Sequence, residues 1–186
     1  MNKKLLLFVS LSLLISLVSE AGTRISPKFA YFRPCCGNVR DIYGGGLIYG
    51  GEIDISITKS LDFWIGGMYF SKKGIISSTQ EETKIKLFPI EGGLKFKLPA
   101  ETFVPYIGGG LGYFQFEESS ASKKSKDRNL GYCVQFGLLI PSCTKGCGVG
   151  ITIDLFLNYS YCKVKSQETK LNVGGIKAGI GWGFAF

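Results

Sequence analysis

Residues 149–162 read VGITIDLFLNYSYC, and the spacing of the apolar side chains in this stretch decides the fold. Val149, Ile151, Ile153, Leu155, Leu157, Tyr159 and Tyr161 recur at every second position. Gly150, Thr152, Asp154, Asn158, Ser160 and Cys162 lie between them, with Phe156 the one large apolar exception. Side chains of a strand point alternately to its two faces. One face of this segment is therefore wholly apolar and the other largely polar.

Working outward, the same alternation marks residues 130–140, where Leu130, Tyr132, Val134, Phe136, Leu138 and Ile140 oppose Gly131, Cys133, Gln135, Gly137 and Leu139. It marks 175–186, with Ile176, Ala178, Ile180, Trp182, Phe184 and Phe186 on one face, and it marks 47–57. In 84–98 the phase slips at Phe88-Pro89, which predicts a bulge. Segments 61–73 and 102–117 are strand-like. In the second, Tyr106, Phe114 and Phe116 compete with Ile107, Leu111 and Tyr113 for the outward face. Residues 25–33 supply one more strand, for an even total of eight. The joints near 59–60, 99–101 and 141–148 are short and turn-like, whereas those near 34–42, 73–83, 117–129 and 163–170 read as mostly longer polar loops. The two classes alternate along the chain. That is the pattern of a membrane barrel with short turns on one side and long loops on the other.

The first residues set the compartment. Lys3 and Lys4 precede an uncharged apolar run from Leu5 to Val18, and Ser19-Glu20-Ala21 offers small residues for cleavage. The run is ~14 residues, short of the roughly 20 that cross a bilayer as a helix. Residues 1–21 are read as a secretory signal peptide and 22–186 as one β-barrel domain. The net charge of the whole chain is +8. Loss of two lysines and one glutamate with the signal peptide leaves it about +7.

An exported soluble barrel of the lipocalin kind also alternates, and is the rival at the level of fold. The discriminator is which face is apolar. Here the polar face is dominated by Gly and small groups with scattered charges, namely Glu52, Asp54, Asp62, Lys95, Lys97, Asp154 and Lys177. Small residues suit a narrow lumen, where they pack beside bulky ones such as Trp64, Met68 and Phe156. The charged set predicts a lumen network of acids paired with lysines, because unpaired buried charges are costly.

Residues 105–113, PYIGGGLGY, resemble a strand common in the small eight-stranded outer-membrane barrels of the OmpX, OmpA-transmembrane and opacity type. The end, 174–186, GGIKAGIGWGFAF, is similar to the closing strand of that family, with Trp182, Phe184 and the final Phe186 resembling the signal read by the barrel-assembly machinery. The resemblance covers most of residues 43–186. It implies an all-β, eight-stranded antiparallel barrel in the bacterial outer membrane, with outer-membrane lipid, lipopolysaccharide and the assembly machinery as partners. Such barrels serve as structural proteins, adhesins, narrow pores or enzymes, so fold does not select one role.

The chain has no His, which removes Ser-His and Cys-His activation. No catalytic residue, cofactor or metal site is assigned. The glycine run 108–112 lacks the Lys-Ser/Thr and helix of a phosphate-binding loop. Six cysteines in an exported protein are permissive for disulfides. Cys143 and Cys147 are read as a local bridge. A bridge from Cys35 or Cys36 to Cys162 or Cys133 is an open alternative, since connectivity does not follow from sequence. Lys123, Lys124, Lys126 and Arg128 in one loop, and Lys163, Lys165 and Lys170 in the next, are candidates to bind polyanions, either lipopolysaccharide phosphates or an acidic surface polymer of a host or cell. Nucleic acid is not expected in this compartment, and a monomer is. The expected role is structural or surface interaction, adhesin-like, with a narrow pore for small solutes as the alternative of a different class.

Overall fold

The computed structural model describes residues 22–35, 37–76, 81–98, 100, 102–120, 124–142, 150–166 and 169–185. The expected signal peptide lies outside them, as do Cys36, Lys123, Cys143, Cys147 and Phe186. The described elements are β1 (Thr23–Pro34), α1 (Gly37–Tyr43), β2 (Gly46–Ser56), β3 (Leu61–Ile76), β4 (Glu81–Lys97), β5 (Val104–Ser120), β6 (Lys124–Ser142), β7 (Gly150–Tyr161), β8 (Lys163–Ser166), β9 (Thr169–Asn172) and β10 (Gly175–Ala185). Eight of the strands close an antiparallel barrel in the order β1-β10-β7-β6-β5-β4-β3-β2, and β8-β9 form a separate two-stranded hairpin. Closure by β1 against β10, in register from Arg24↔Ala185 to Pro34↔Gly175, leaves the barrel no free edge.

The burial pattern is inverted relative to a soluble protein. Leu111 is 69% exposed, Leu130 67% and Leu47 63%, whereas Lys95 and Asp154 are 0% exposed and Lys177 1%. Water would not support an unbroken wall of exposed Ile, Leu and Phe on every strand. A lipid hydrocarbon layer does, and the soluble lipocalin-like arrangement is thereby ruled out. Among the described residues no helix is long and apolar enough to cross a membrane. Spanning by strands needs none. Outward tyrosines, Tyr31, Tyr49, Tyr69, Tyr113, Tyr132 and Tyr159, gather toward the end of the barrel remote from Thr23. Tyr132 stacks on Tyr161 at 5.2 Å, and Tyr49 meets Tyr69 edge-on at 5.8 Å. An aromatic girdle of this kind marks a membrane–water interface.

Three sequence expectations need correction. The register between β4 and both neighbours is the same on either side of Phe88-Pro89, although the pairing with β3 lapses opposite those two residues, so there is no bulge. Pro89, Leu87 and Ile85 all point inward. The apparent slip records a change in what the lumen contains. Its half nearer the termini is ionic, while the remote half is filled by Phe32, Ile48, Phe70, Ile85, Leu87, Phe114 and Phe116. The same change explains Tyr106, Phe114 and Phe116, which face inward.

Secondly, most of the segments read as long loops are not loops. β3 to β6 run 16, 17, 17 and 19 residues, against 12 for β1 and 11 for β2. Their ends stand beyond the tyrosine girdle as a paired crest. Backbone ladder bonds satisfy its amides and carbonyls, so polar side chains do not prevent strand formation. Residues 37–43 form a short helix, and Lys163–Ser166 pairs with Thr169–Asn172 as the small two-stranded sheet. Thirdly, Cys35, Cys133 and Cys162 are free thiols, so none of them bridges to another. Cys133 is buried on the lumen wall, Cys35 is exposed, and the Cys162 sulfur donates to the carbonyls of Asn129 and Leu130.

Candidate functional site

Two groupings of polar residues stand out, one inside the barrel and one on its crest. Inside, inward positions of β1, β2, β3, β4, β7 and β10 bring together five cations and five carboxylates. Arg24 donates to Asp54 Oδ2 at 2.8 Å. Lys28 reaches Glu52 Oε1 at 2.7 Å and Asp154 Oδ2 at 2.9 Å. Lys95 is held between Glu52, at 2.7 Å, and Asp54. Lys97 pairs with Asp62 at 2.7 Å, and Lys177 with Glu91 at 2.6 Å. Tyr106 donates to Asp154 Oδ1 at 2.8 Å, and Asn158 donates to Glu91 Oε2 at 3.1 Å.

All seven charged residues named from the sequence for the lumen lie in this network. Sequence reasoning missed Arg24, Lys28 and Glu91. The first two belong to the least periodic strand, where even positions 24, 26 and 28 are the polar set and are the signal that identifies them. Charges balance one to one. That matters because an ion buried without its partner costs several kcal/mol, while a hydrogen-bonded pair offsets most of that penalty. The aromatic lining helps: Lys28 lies 4.5 Å above the Phe156 ring and Lys95 4.7 Å from that of Tyr106. An internal void beside Lys28, Glu52, Trp64, Gln135 and Asn158 measures about 20 Å³, the room of about one water. Above the network the apolar upper lumen is capped by α1, whose Val39 and Tyr43 are buried. The Tyr43 hydroxyl donates to Glu118 and bonds Thr83 at 2.9 Å. Burial first, and then Glu118, push its ionisation above the ordinary tyrosine range.

On the crest, the outward face of β3 to β6 carries cations in rows. Lys73 pairs with Lys84 across β3–β4, Lys86 with Glu117 across β4–β5, and Glu117 with Lys126 across β5–β6. Lys124, Lys126 and Lys86 reach the Glu117 carboxylate at 3.0, 3.1 and 3.8 Å. Hydrogen bonds from Lys124 and Lys126 hold that carboxyl down at about 2. Arg128 lies one step nearer the girdle, opposite Gln115. Lys124, Lys126 and Arg128 are therefore brought together, and with them Lys73, Lys84 and Lys86, which the loop reading had not linked. Lys163 and Lys165 sit apart, on the hairpin at the other flank of β6. Lys163 lies over the Tyr161 ring at 5.7 Å, and the Lys165 amide donates to Asp127. Trp182 and Phe184 point outward from β10, Trp182 edge-on to Phe29 at 6.1 Å.

Among the described residues no group of three or more His, Cys, Asp or Glu side chains is placed to hold a metal. No protein-family model and no curated protein sequence matches the chain. Solved structures do. Neisserial surface protein A matches with a TM-score of 0.66 at 17% identity, over 90% of this chain and 100% of that one. The outer membrane protein OprG of Pseudomonas aeruginosa gives 0.66 at 14% identity, over 89% and 96%. Ail, the attachment invasion locus protein of Yersinia pestis, gives 0.51 at 17% identity, over 89% and 99%. The inverted burial, the closed eight-stranded topology and these likenesses agree, and the chain has the fold of the small eight-stranded outer-membrane β-barrels.

Proposed function

We propose that this protein is an integral barrel of the bacterial outer membrane that acts through its outer surface, in a structural or adhesin-like role, and neither conducts solutes nor catalyses a reaction. The observation that carries this reading is the filled lumen. Five ion pairs' worth of balanced charge, an apolar upper half and the α1 cap leave no continuous polar path. This argues against the narrow pore. What the barrel offers to its surroundings is the crest of β3–β6 with its rows of lysine and arginine.

Among proteins of similar fold, Ail has been seen in complex with the heparin analogue sucrose octasulfate. That complex supports a surface-interaction role for a basic crest. The test is conductance of the purified full-length protein in planar bilayers. No steady unit conductance is expected. Reproducible single-channel steps from the wild-type protein would replace this reading with the pore.

A further inference from the structure

The outer wall changes character within a few residues of the tyrosine girdle, and both halves of that change are concave. Above the girdle, on β3–β6, lies a groove of about 190 Å³ bordered by Tyr69, Phe88 and Gln115, by the cations Lys86, Lys126 and Arg128, and by the carboxylates Glu117 and Asp127. Adjoining it on the side of the termini, on β1–β4, lies a wider, shallower apolar groove of about 560 Å³, floored by the cross-strand glycines Gly51 and Gly67 and walled by Ile53, Ile65 and Ile90. Phe88 borders both. The wall is thus cationic where headgroup phosphates lie and recessed where acyl chains lie.

Across the outward face around the upper groove, cations outnumber carboxylates. Six cations, Lys73, Lys84, Lys86, Lys124, Lys126 and Arg128, share this outward face with the carboxylates of Glu82 and Glu117. Lys73 and Lys84 are directly paired across strands, an arrangement that like charges disfavour. Asp127 does not help, because its carboxylate is taken by the backbone amides of Arg128 and Lys165. The one carboxylate at the centre, Glu117, already draws three ammonium groups to within 3.8 Å. Lysine and arginine so placed suit an oxyanion of higher charge than a carboxylate, and a phosphate monoester carries nearly two charges.

We propose that this wall binds one phosphorylated lipid of the outer leaflet, its phosphate held by Lys86, Lys126 and Arg128 and an acyl chain lying in the groove over Gly51 and Gly67. The inference rests on the reading of the chain as a membrane-inserted barrel with a working outer surface. A lipid, and not a soluble polyanion, is the ligand because the cations face sideways at the girdle and the apolar recess adjoins their groove at Phe88. Gly67 also explains itself in this way. A Cβ there would make only ordinary contacts, with the Phe88 ring at 3.6 Å and the Pro89 carbonyl oxygen at 4.0 Å, so packing does not demand glycine, yet any side chain would fill the recess.

The experiment uses the folded full-length protein in nanodiscs of zwitterionic phospholipid doped with diphosphorylated lipid A, reading lipid A that stays bound after extraction, by native mass spectrometry. Dephosphorylated lipid A is the paired probe. The K86Q/K126Q/R128Q variant is expected to retain the phosphorylated lipid at least about tenfold more weakly, and added salt to weaken wild-type retention. Gly67→Leu is expected to lower retention while leaving every cation in place. K163Q/K165Q, on the hairpin, should match wild type. Equal retention by wild type and the triple variant overturns the proposal. So does loss of a soluble sulfated polymer, but not of lipid A, from the triple variant, which would make the crest a site for soluble polyanions. Wild-type protein that fails to enter the bilayer, without the heat-dependent gel mobility of a folded barrel, would overturn the membrane reading itself.

Discussion

Gly109 and Gly110 are adjacent in one glycine run, yet they answer to different constraints. A Cβ on Gly110 would lie 2.0 Å from the Gly92 carbonyl oxygen, a backbone atom that cannot yield. One on Gly109, facing outward, meets nothing nearer than 3.8 Å. Gly110→Ala is expected to destabilise the barrel by at least about 3 kcal/mol, at the upper end of overpacking penalties, and Gly109→Ala by less than about 1 kcal/mol. Urea titration of the folded gel band distinguishes them. The Lys177–Glu91 pair gives a second residue-scale test. Lys177→Met strands a buried carboxylate and is expected to cost about 3–5 kcal/mol, whereas adding Glu91→Leu should restore most of that loss. If the single and double variants unfold at the same urea concentration, the ion pair is not what holds that region. Four of the five lumen acids, Glu52, Asp54, Asp62 and Asp154, were legible in the sequence because alternation placed them on one face. Arg24 and Lys28 were overlooked although the polar set at 24, 26 and 28 alternates with Ile25 and Phe29, because the apolar run from Phe29 to Phe32 blurs that period further along β1.

At the scale of elements, the reading fails where side-chain polarity is mistaken for backbone disorder. Polar stretches rich in Lys, Glu and Ser at 73–76, 81–84, 117–120 and 124–128 are strands, held by a ladder that does not depend on apolar faces. The helix α1 was also hidden, since it is about two turns long and, among its described side chains, only Val39 and Tyr43 are buried. Its contact with Glu118 carries a pH signature. Tyr43 keeps its proton above the ordinary value of 10.0, so the native state is protonated where the unfolded chain has ionised. The stabilisation is therefore full below about pH 10 and falls as pH rises beyond it. The advantage of wild type over Tyr43→Phe, about 1 kcal/mol near neutrality for one hydrogen bond, should shrink toward zero by about pH 11. An advantage unchanged across that range would show that the hydroxyl does not bond as described.

The whole molecule is expected to resist SDS until heated, and to do so with or without reductant as far as Cys35, Cys133 and Cys162 are concerned, because these are free. A folded band that disappears with reductant would place a bridge among the remaining cysteines. Architecture was legible because strand alternation and the regular spacing of turns are local signals repeated eight times over. The crest was legible only in part: Lys124, Lys126 and Arg128 stand close together in the sequence, but only the registers of β3 to β6 bring Lys73, Lys84 and Lys86 to their side.

The unequal strand lengths give the barrel a high side and a low side. From Tyr113 to Ser120 the β5–β6 ladder rises by roughly 20 Å of strand, while β1 and β2 stop near the girdle. Seen from outside the cell, the molecule has a prow. Its shape is set by backbone bonds. Side chains on its outer face can therefore be exchanged without the barrel beneath losing its form.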